Sequence, residues 1–133
     1  MDRSKFVSEK VEEKPFWNLT SQIIGAAFEV HKALGSGFLE KVYVRALLRE
    51  LADAGLTAES EVAIPVLYKG TDVGVYYADL VVERTVVCEI KAVASLAREH
   101  EAQLIHYLTA TNTKVGLLLN FGSKSVQLKR MIL

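Results

Sequence analysis

The chain has 133 residues, half of them hydrophobic, so one domain can bury a real apolar core without disulfides or a structural metal. Sixteen basic residues balance sixteen acidic ones, which excludes whole-molecule attraction for a polyanion and leaves nucleic-acid binding to local patches or a bound cation. The lone Cys88 excludes an intrachain disulfide and a four-cysteine zinc or iron–sulfur site; in the apolar run Thr85-Val-Val-Cys-Glu-Ile it reads as a buried core thiol in a reduced compartment.

Residues 1 to about 16 are polar and charged, end at Pro15, and show too little apolar periodicity to offset the entropy of ordering them. They read as a flexible arm, and residues 17–133 as one domain. The start lacks the apolar core of a signal peptide and no stretch reaches bilayer-spanning length, so the expected location is cytoplasmic, with no membrane partner. From Asn18 or Thr20, either of which can cap, the three- and four-residue steps of Ile23, Ile24, Ala27, Phe28, His31 and Leu34 predict a helix that Gly35 and Gly37 stop. A second helical stripe runs Leu39, Val42, Tyr43, Ala46, Leu47 and Leu51, with Gly55 placed to end it.

The period then changes to two. Val62, Ile64, Val66 and Tyr68 alternate, Lys69-Gly-Thr-Asp turns the chain, a second strand covers about Val73 to Glu83, and a third runs from Thr85 to about Val93. These three predict an antiparallel meander. Helical spacing returns from about Ala94 to Thr111, and Lys114-Val-Gly-Leu-Leu-Leu-Asn-Phe reads as a buried strand that closes a parallel βαβ crossover. A last alternating segment, Ser125 to Leu133, follows a Gly122 turn and forms an edge. The order α-α-β-β-β-α-β-β predicts an α/β fold with helices flanking one mixed sheet.

Charged residues interrupt two of the apolar strands. Strict alternation puts Tyr77, Asp79 and Val81 on one face of the second strand, and Val87, Glu89 and Lys91 on one face of the third, with Cys88 and Ile90 opposite. If Asp79 sits opposite or diagonal to Glu89, two carboxylates meet and repulsion raises one pKa, a conflict that a divalent cation removes. Oxygen-only ligands favour Mg²⁺ or Mn²⁺, and Lys91 on the same face is placed to orient an attacking water or stabilise a phosphoryl transition state. The same three residues also suit a structural ion pair of Lys91 with Glu89 beside a solvated Asp79. Glu40 shares a helical stripe with Tyr43 and Leu47, where a carboxylate either serves a site or answers the helix dipole. Gln103 and Tyr107, four apart, share a face of the crossover helix, as substrate-facing groups or as a solvated Gln beside a packed Tyr.

The string His31-Lys-Ala-Leu-Gly35-Ser-Gly37-Phe-Leu-Glu40-Lys-Val-Tyr43 resembles the GxxExxY protein family, assigned to the PD-(D/E)xK nuclease superfamily. The likeness continues through Tyr77-Ala-Asp79-Leu-Val-Val, Cys88-Glu89-Ile-Lys91-Ala-Val, His100-Glu-Ala-Gln103-Leu-Ile-His-Tyr107-Leu and Val115-Gly-Leu-Leu-Leu-Asn-Phe-Gly122, with Lys129-Arg130 in the tail. It implies a restriction-endonuclease-like αβββαβ core and a Mg²⁺- or Mn²⁺-dependent nuclease acting on DNA or RNA. In that reading Asp79, Glu89 and the first-helix acid Glu40 are metal ligands, and Lys91, Gln103, Tyr107 and Tyr43 are catalytic. His31, Lys129 and Arg130 are substrate-binding, although Lys124, Lys129 and Arg130 also suit an ordinary solvated edge. Two features depart from the pattern: Ala78-Asp79 stands in place of Pro-Asp, and the chain carries no added DNA-reading module. The second leaves specificity to loops, to a basic cluster of Lys124, Lys129 and Arg130, to a homo-oligomer or to a protein partner, and keeps open a catalytically silent module that binds nucleic acid or a partner.

Overall fold

The computed structural model describes residues 3–133, with side chains described from Phe16 onward. Its elements are α1 (Arg3–Leu34), α2 (Glu40–Asp53), β1 (Ala58–Tyr68), β2 (Thr71–Val82), β3 (Val86–Lys91), α3 (Arg98–Ala110), β4 (Val115–Asn120) and β5 (Gln127–Ile132), in the predicted order. α1 begins earlier than the Asn18 or Thr20 cap predicts, because its backbone runs back to Arg3 through a stretch rich in helix-favouring Lys and Glu. The side chains of residues 1–15, which make up most of the expected arm, lie outside the described residues. No helix among the described residues is long and apolar enough to cross a membrane.

The five strands form one sheet in the order β1-β2-β3-β4-β5. β1 and β2 make a long antiparallel hairpin, β2 joins β3 antiparallel only through Leu80↔Cys88, Val81↔Val87 and Val82↔Val86, and β3 runs parallel to β4. β5 closes the far edge antiparallel to β4. Under one face α1 and α2 bury Ile23, Ala27, Tyr43, Leu47 and Leu51 against Leu80, Cys88, Ile90, Leu117 and Phe121. Under the other, Leu104 and Leu108 of α3 meet Val87 and Leu118. β4 is buried along its whole length, as its continuous apolar run predicts. A Cβ on Gly116 would lie 2.8 Å from Leu108 Cδ1, so glycine at this position lets α3 seat directly on β4. Cys88 is a fully buried free thiol, pushed up to about 12 by burial and by nearby Asp79, which makes it inert.

The alternation along the hairpin reverses at one point, and this corrects the expected face. Leu80 and Val82 point under α1 and α2, whereas Tyr76 and Ala78, of the same parity, point under α3. Between Ser60↔Leu80 and Val62↔Ala78 the ladder skips Glu61 and Asp79, and Glu61 has φ of 51°. A local irregularity of this kind re-aims every side chain beyond it. Tyr77 is therefore turned out to solvent, 62% exposed, while Val81 packs on the α3 side.

Candidate active site

Beyond Leu80 and Cys88 the strands β2 and β3 part, and the acidic residues sit in the opening. Asp79 stays attached to its neighbour through its side chain, whose Oδ2 accepts the Ile90 N–H at 2.8 Å. Glu89 and Lys91 project on the α3 side, with Val87, while Cys88 and Ile90 face the core under α1 and α2. Glu89, Lys91, Gln103 and Tyr107 line one depression of about 370 Å³, together with Tyr76, Tyr77, Val66 and Val75. Within it the Tyr76 hydroxyl donates to Glu89 Oε1, and the Tyr76 ring stacks on Tyr107 at 4.1 Å between centroids. Gln103 Nε2 donates to the Tyr107 hydroxyl at 2.9 Å.

Burial is the main electrostatic fact of this site. It pushes Glu89 up to about 7, against the pull of Lys91 and of the Asp79 main-chain amide, and the Glu40 carboxylate adds to the rise. Asp79 is also raised, first by burial and then by Glu61, while the Ile90 amide and Lys91 hold it down. Burial thus leads for both acids, with Glu40 adding to the rise of Glu89 and Glu61 to that of Asp79. Glu40, exposed at the first turn of α2, reaches the site by its field.

Among the described residues no three His, Cys, Asp or Glu side chains stand close enough together to hold a metal ion. Mg²⁺ and Mn²⁺ need only one or two carboxylates, with water and phosphate oxygens completing the shell, so the donor set Asp79 and Glu89 fits these ions. A closed zinc or calcium cage does not fit it. The raised Glu89 is a carboxyl short of a counter-charge, which is the condition a cation relieves.

Between its ordinary 4.5 and about 7, Glu89 keeps in the folded chain a proton that the unfolded chain has released, so metal-free stability falls as pH rises through that window. The loss is below a ceiling on the order of 3 kcal/mol, since partial exposure screens it. Asp79 contributes with the same sign. Urea or thermal unfolding without divalent cations should show a lower midpoint at pH 8 than at pH 5, and Mn²⁺ at pH 8 should recover the difference. A midpoint that stays flat across this range would contradict the assignment.

Several expected site residues lie elsewhere. Tyr43 is fully buried; its hydroxyl donates to the Gly35 carbonyl at 2.6 Å and accepts the Phe38 N–H at 3.3 Å, and its ring stacks on Phe121 at 4.6 Å. It thus pins the glycine turn between α1 and α2. Tyr43→Phe should destabilise by about 1–2 kcal/mol in denaturant unfolding while leaving any activity at the depression unchanged. His31 Nε2 lies 3.0 Å from the Ser123 carbonyl, with its ring against Phe121. Arg130 is laid over the Trp17 ring, 3.2 Å from guanidinium carbon to centroid, and reaches Thr20 Oγ1 at 3.4 Å. Lys129 points to the opposite face and stays exposed, so the two adjacent cations do not form a cluster. Glu89, Leu118 and Lys129 share one lateral row of the sheet, and α3 packs on the Leu118 between them.

Two further contributors escape the sequence patterns. Tyr76 was hidden by the strict alternation that assigns Tyr77 to the Asp79 face; the adjacent Tyr76-Tyr77 pair is the signal that either aromatic can face the site. Asn120, fully buried, ties down the loop that follows Lys91: its Oδ1 accepts the N–H groups of Val93 at 2.9 Å and Gly122 at 3.0 Å. Its Nδ2 donates to the Val93 carbonyl at 2.9 Å and to Gln127 Oε1 at 3.0 Å, and that oxygen also accepts the Leu96 N–H at 2.9 Å. This is why β3 stops at Lys91, short of the expected Val93. A Cβ on Gly122 would lie 2.3 Å from the Val93 carbonyl oxygen, so glycine permits the close approach. A buried Asn inside Leu-Leu-Leu-Asn-Phe, unaccountable as strand packing alone, is a legible sign of such a role.

The family model of the PD-(D/E)XK nuclease superfamily matches residues 17–131. The crystal structure of SSO0001 is similar in fold, with a TM-score of 0.52 at 22% sequence identity, covering 69% of this chain and 48% of that one. The chain thus spans about half the length of that protein. No curated protein sequence matches it.

Proposed function

The chain belongs to the PD-(D/E)XK nuclease superfamily, and on that premise we propose that it is a Mg²⁺- or Mn²⁺-dependent nuclease that hydrolyses phosphodiester bonds, with DNA ahead of RNA as substrate. The observation that carries this reading is the gathering of Glu89, Lys91, Gln103 and Tyr107 around one depression where β2 and β3 part. In this reading Glu89 in the depression and Asp79, bonded to the neighbouring Ile90 amide, would hold the cation, with Glu40 adding negative field from α2. When bound, the cation supplies charge neutralisation and water activation. Lys91 places its ammonium group against the negative charge that builds on the phosphoryl oxygens, and opposes the rise that burial imposes on Glu89 and Asp79. Gln103 and Tyr107 form the α3 wall against which substrate is positioned. Lys129, exposed beyond α3, offers a phosphate contact.

Residues 17–133 form the working unit in this reading, in a cytoplasmic protein. With zero net charge, specificity comes from a second copy or a protein partner that adds contacts. The test is hydrolysis of labelled DNA and RNA by the purified protein with Mg²⁺, Mn²⁺ or EDTA. Cleavage that needs the cation and is lost in Glu89→Ala supports the nuclease. The absence of a three-donor cluster among the described residues favours one second reading, a silent nuclease-fold module. Binding without turnover, indifferent to Glu89→Ala, would select it.

A further inference from the structure

We propose that Tyr76 is a positioning residue for Glu89, and that Gln103 and Tyr107 act on Glu89 through it; this rests on the metal-dependent reading above. A Glu carboxylate turns freely about its last torsion, which is broad and roughly two-fold. Here the Tyr76 hydroxyl donates to Oε1 and stops that rotation. Tyr76 itself has little freedom, being 7% exposed and packed with Ala78 and Val87 under α3. Its ring lies nearly parallel to that of Tyr107, at 4.1 Å and 21°, an arrangement that fixes the hydroxyl's approach. Tyr107 is in turn held by Gln103, one helical turn earlier. Hydrogen bonds and ring stacking thus link Gln103, Tyr107, Tyr76 and Glu89 in series, so the α3 pair is tied to the acid through a β2 residue.

The reversal at Glu61 and Asp79 is what makes this possible. Without it Tyr76 would point under α1 and α2, and Tyr77 would take the place beside Glu89. A hydrogen bond to a metal-ligating carboxylate orients it and tunes its affinity, and losing such a partner typically lowers metal affinity or activity by about 10–100-fold. Tyr76→Phe keeps the ring, the stack and the burial and removes only the hydroxyl.

Calorimetric titration of the substrate-free protein with Mn²⁺ at neutral pH, for wild type, Glu89→Ala and Tyr76→Phe, tests the assignment. The expected result is loss of binding in Glu89→Ala and about tenfold weaker binding or worse in Tyr76→Phe, which still unfolds cooperatively. Turnover by Tyr76→Phe should then recover as Mn²⁺ is raised toward saturation. Wild-type Mn²⁺ affinity in Tyr76→Phe, alongside lost binding in Glu89→Ala, would overturn the role of Tyr76 and leave the metal site standing. Failure of the wild-type protein to bind Mn²⁺ at all would overturn both.

Discussion

Lys91→Ala should lower phosphodiester hydrolysis by about 10²–10³-fold, the range seen when one preorganised electrostatic group is removed from a reaction that builds charge. Lys91 is the cationic residue lining the depression, it shares a strand face with Glu89, and it is partly buried, where its charge acts through less water than at the surface. Its removal has a second consequence. Lys91 lowers both Glu89 and Asp79, so without it both carboxyls hold their protons to higher pH, and protons compete for these oxygens further into the neutral range. The discriminating measurement is the rate at saturating Mn²⁺. A direct role for the ammonium group leaves the deficit in place at saturation, whereas an indirect role through the acids lets the rate recover. Lys129→Ala, which removes an exposed cation beyond α3, should reduce apparent substrate affinity and spare the rate at saturation. Equal activity in Lys91→Ala and wild type would remove the catalytic assignment.

Asn120→Leu should be the most destabilising change near the site, on the order of 3–5 kcal/mol, or roughly 10–20 °C in unfolding midpoint. Leucine fills a similar volume but leaves the Val93 N–H, the Val93 carbonyl and the Gly122 N–H without their partner in a buried setting. Each such orphaned group costs about 1–3 kcal/mol. The effect extends to the depression, because the loop these bonds secure leads from Lys91 directly into α3, which carries Gln103 and Tyr107. Gln127→Leu, which removes the acceptor of the Leu96 amide at the partly buried end of the same network, should cost less, about 1–2 kcal/mol. A melting temperature for Asn120→Leu within a few degrees of wild type would show that water or a rearranged loop satisfies these groups.

The superfamily of this chain was legible because its signals are local and ordered: a glycine turn before an acid-bearing helix, an Asp strand, a Glu-x-Lys strand, a Gln-x-x-x-Tyr helix and a buried apolar strand. The meander, the parallel crossover and the edge strand all follow from period and turn chemistry, and β1 to β5 pair as those signals predict. The opposite orientation of Lys129 and Arg130 was equally available, since adjacent residues of a strand face opposite ways, yet their adjacency in sequence suggested a basic cluster. Tyr43 carries a different lesson. Its place in the Gly-x-x-Glu-x-x-Tyr pattern marks it as functional, but its hydroxyl is spent on the turn that this pattern builds.

The sequence by itself determined which elements form and which of them carry the ionisable residues, because helical and strand periods and ionisable groups are properties of the chain read in one dimension. Only the tertiary structure decided which of those groups meet. Strand parity reverses at Glu61 and Asp79 through long-range pairing of β1 with β2, which no local alternation encodes, and this brings Tyr76 to Glu89 while turning Tyr77 outward. The acids are raised mainly by burial, a quantity set by the density of surrounding atoms from α2, α3 and neighbouring strands rather than by the identity of the titrating residue.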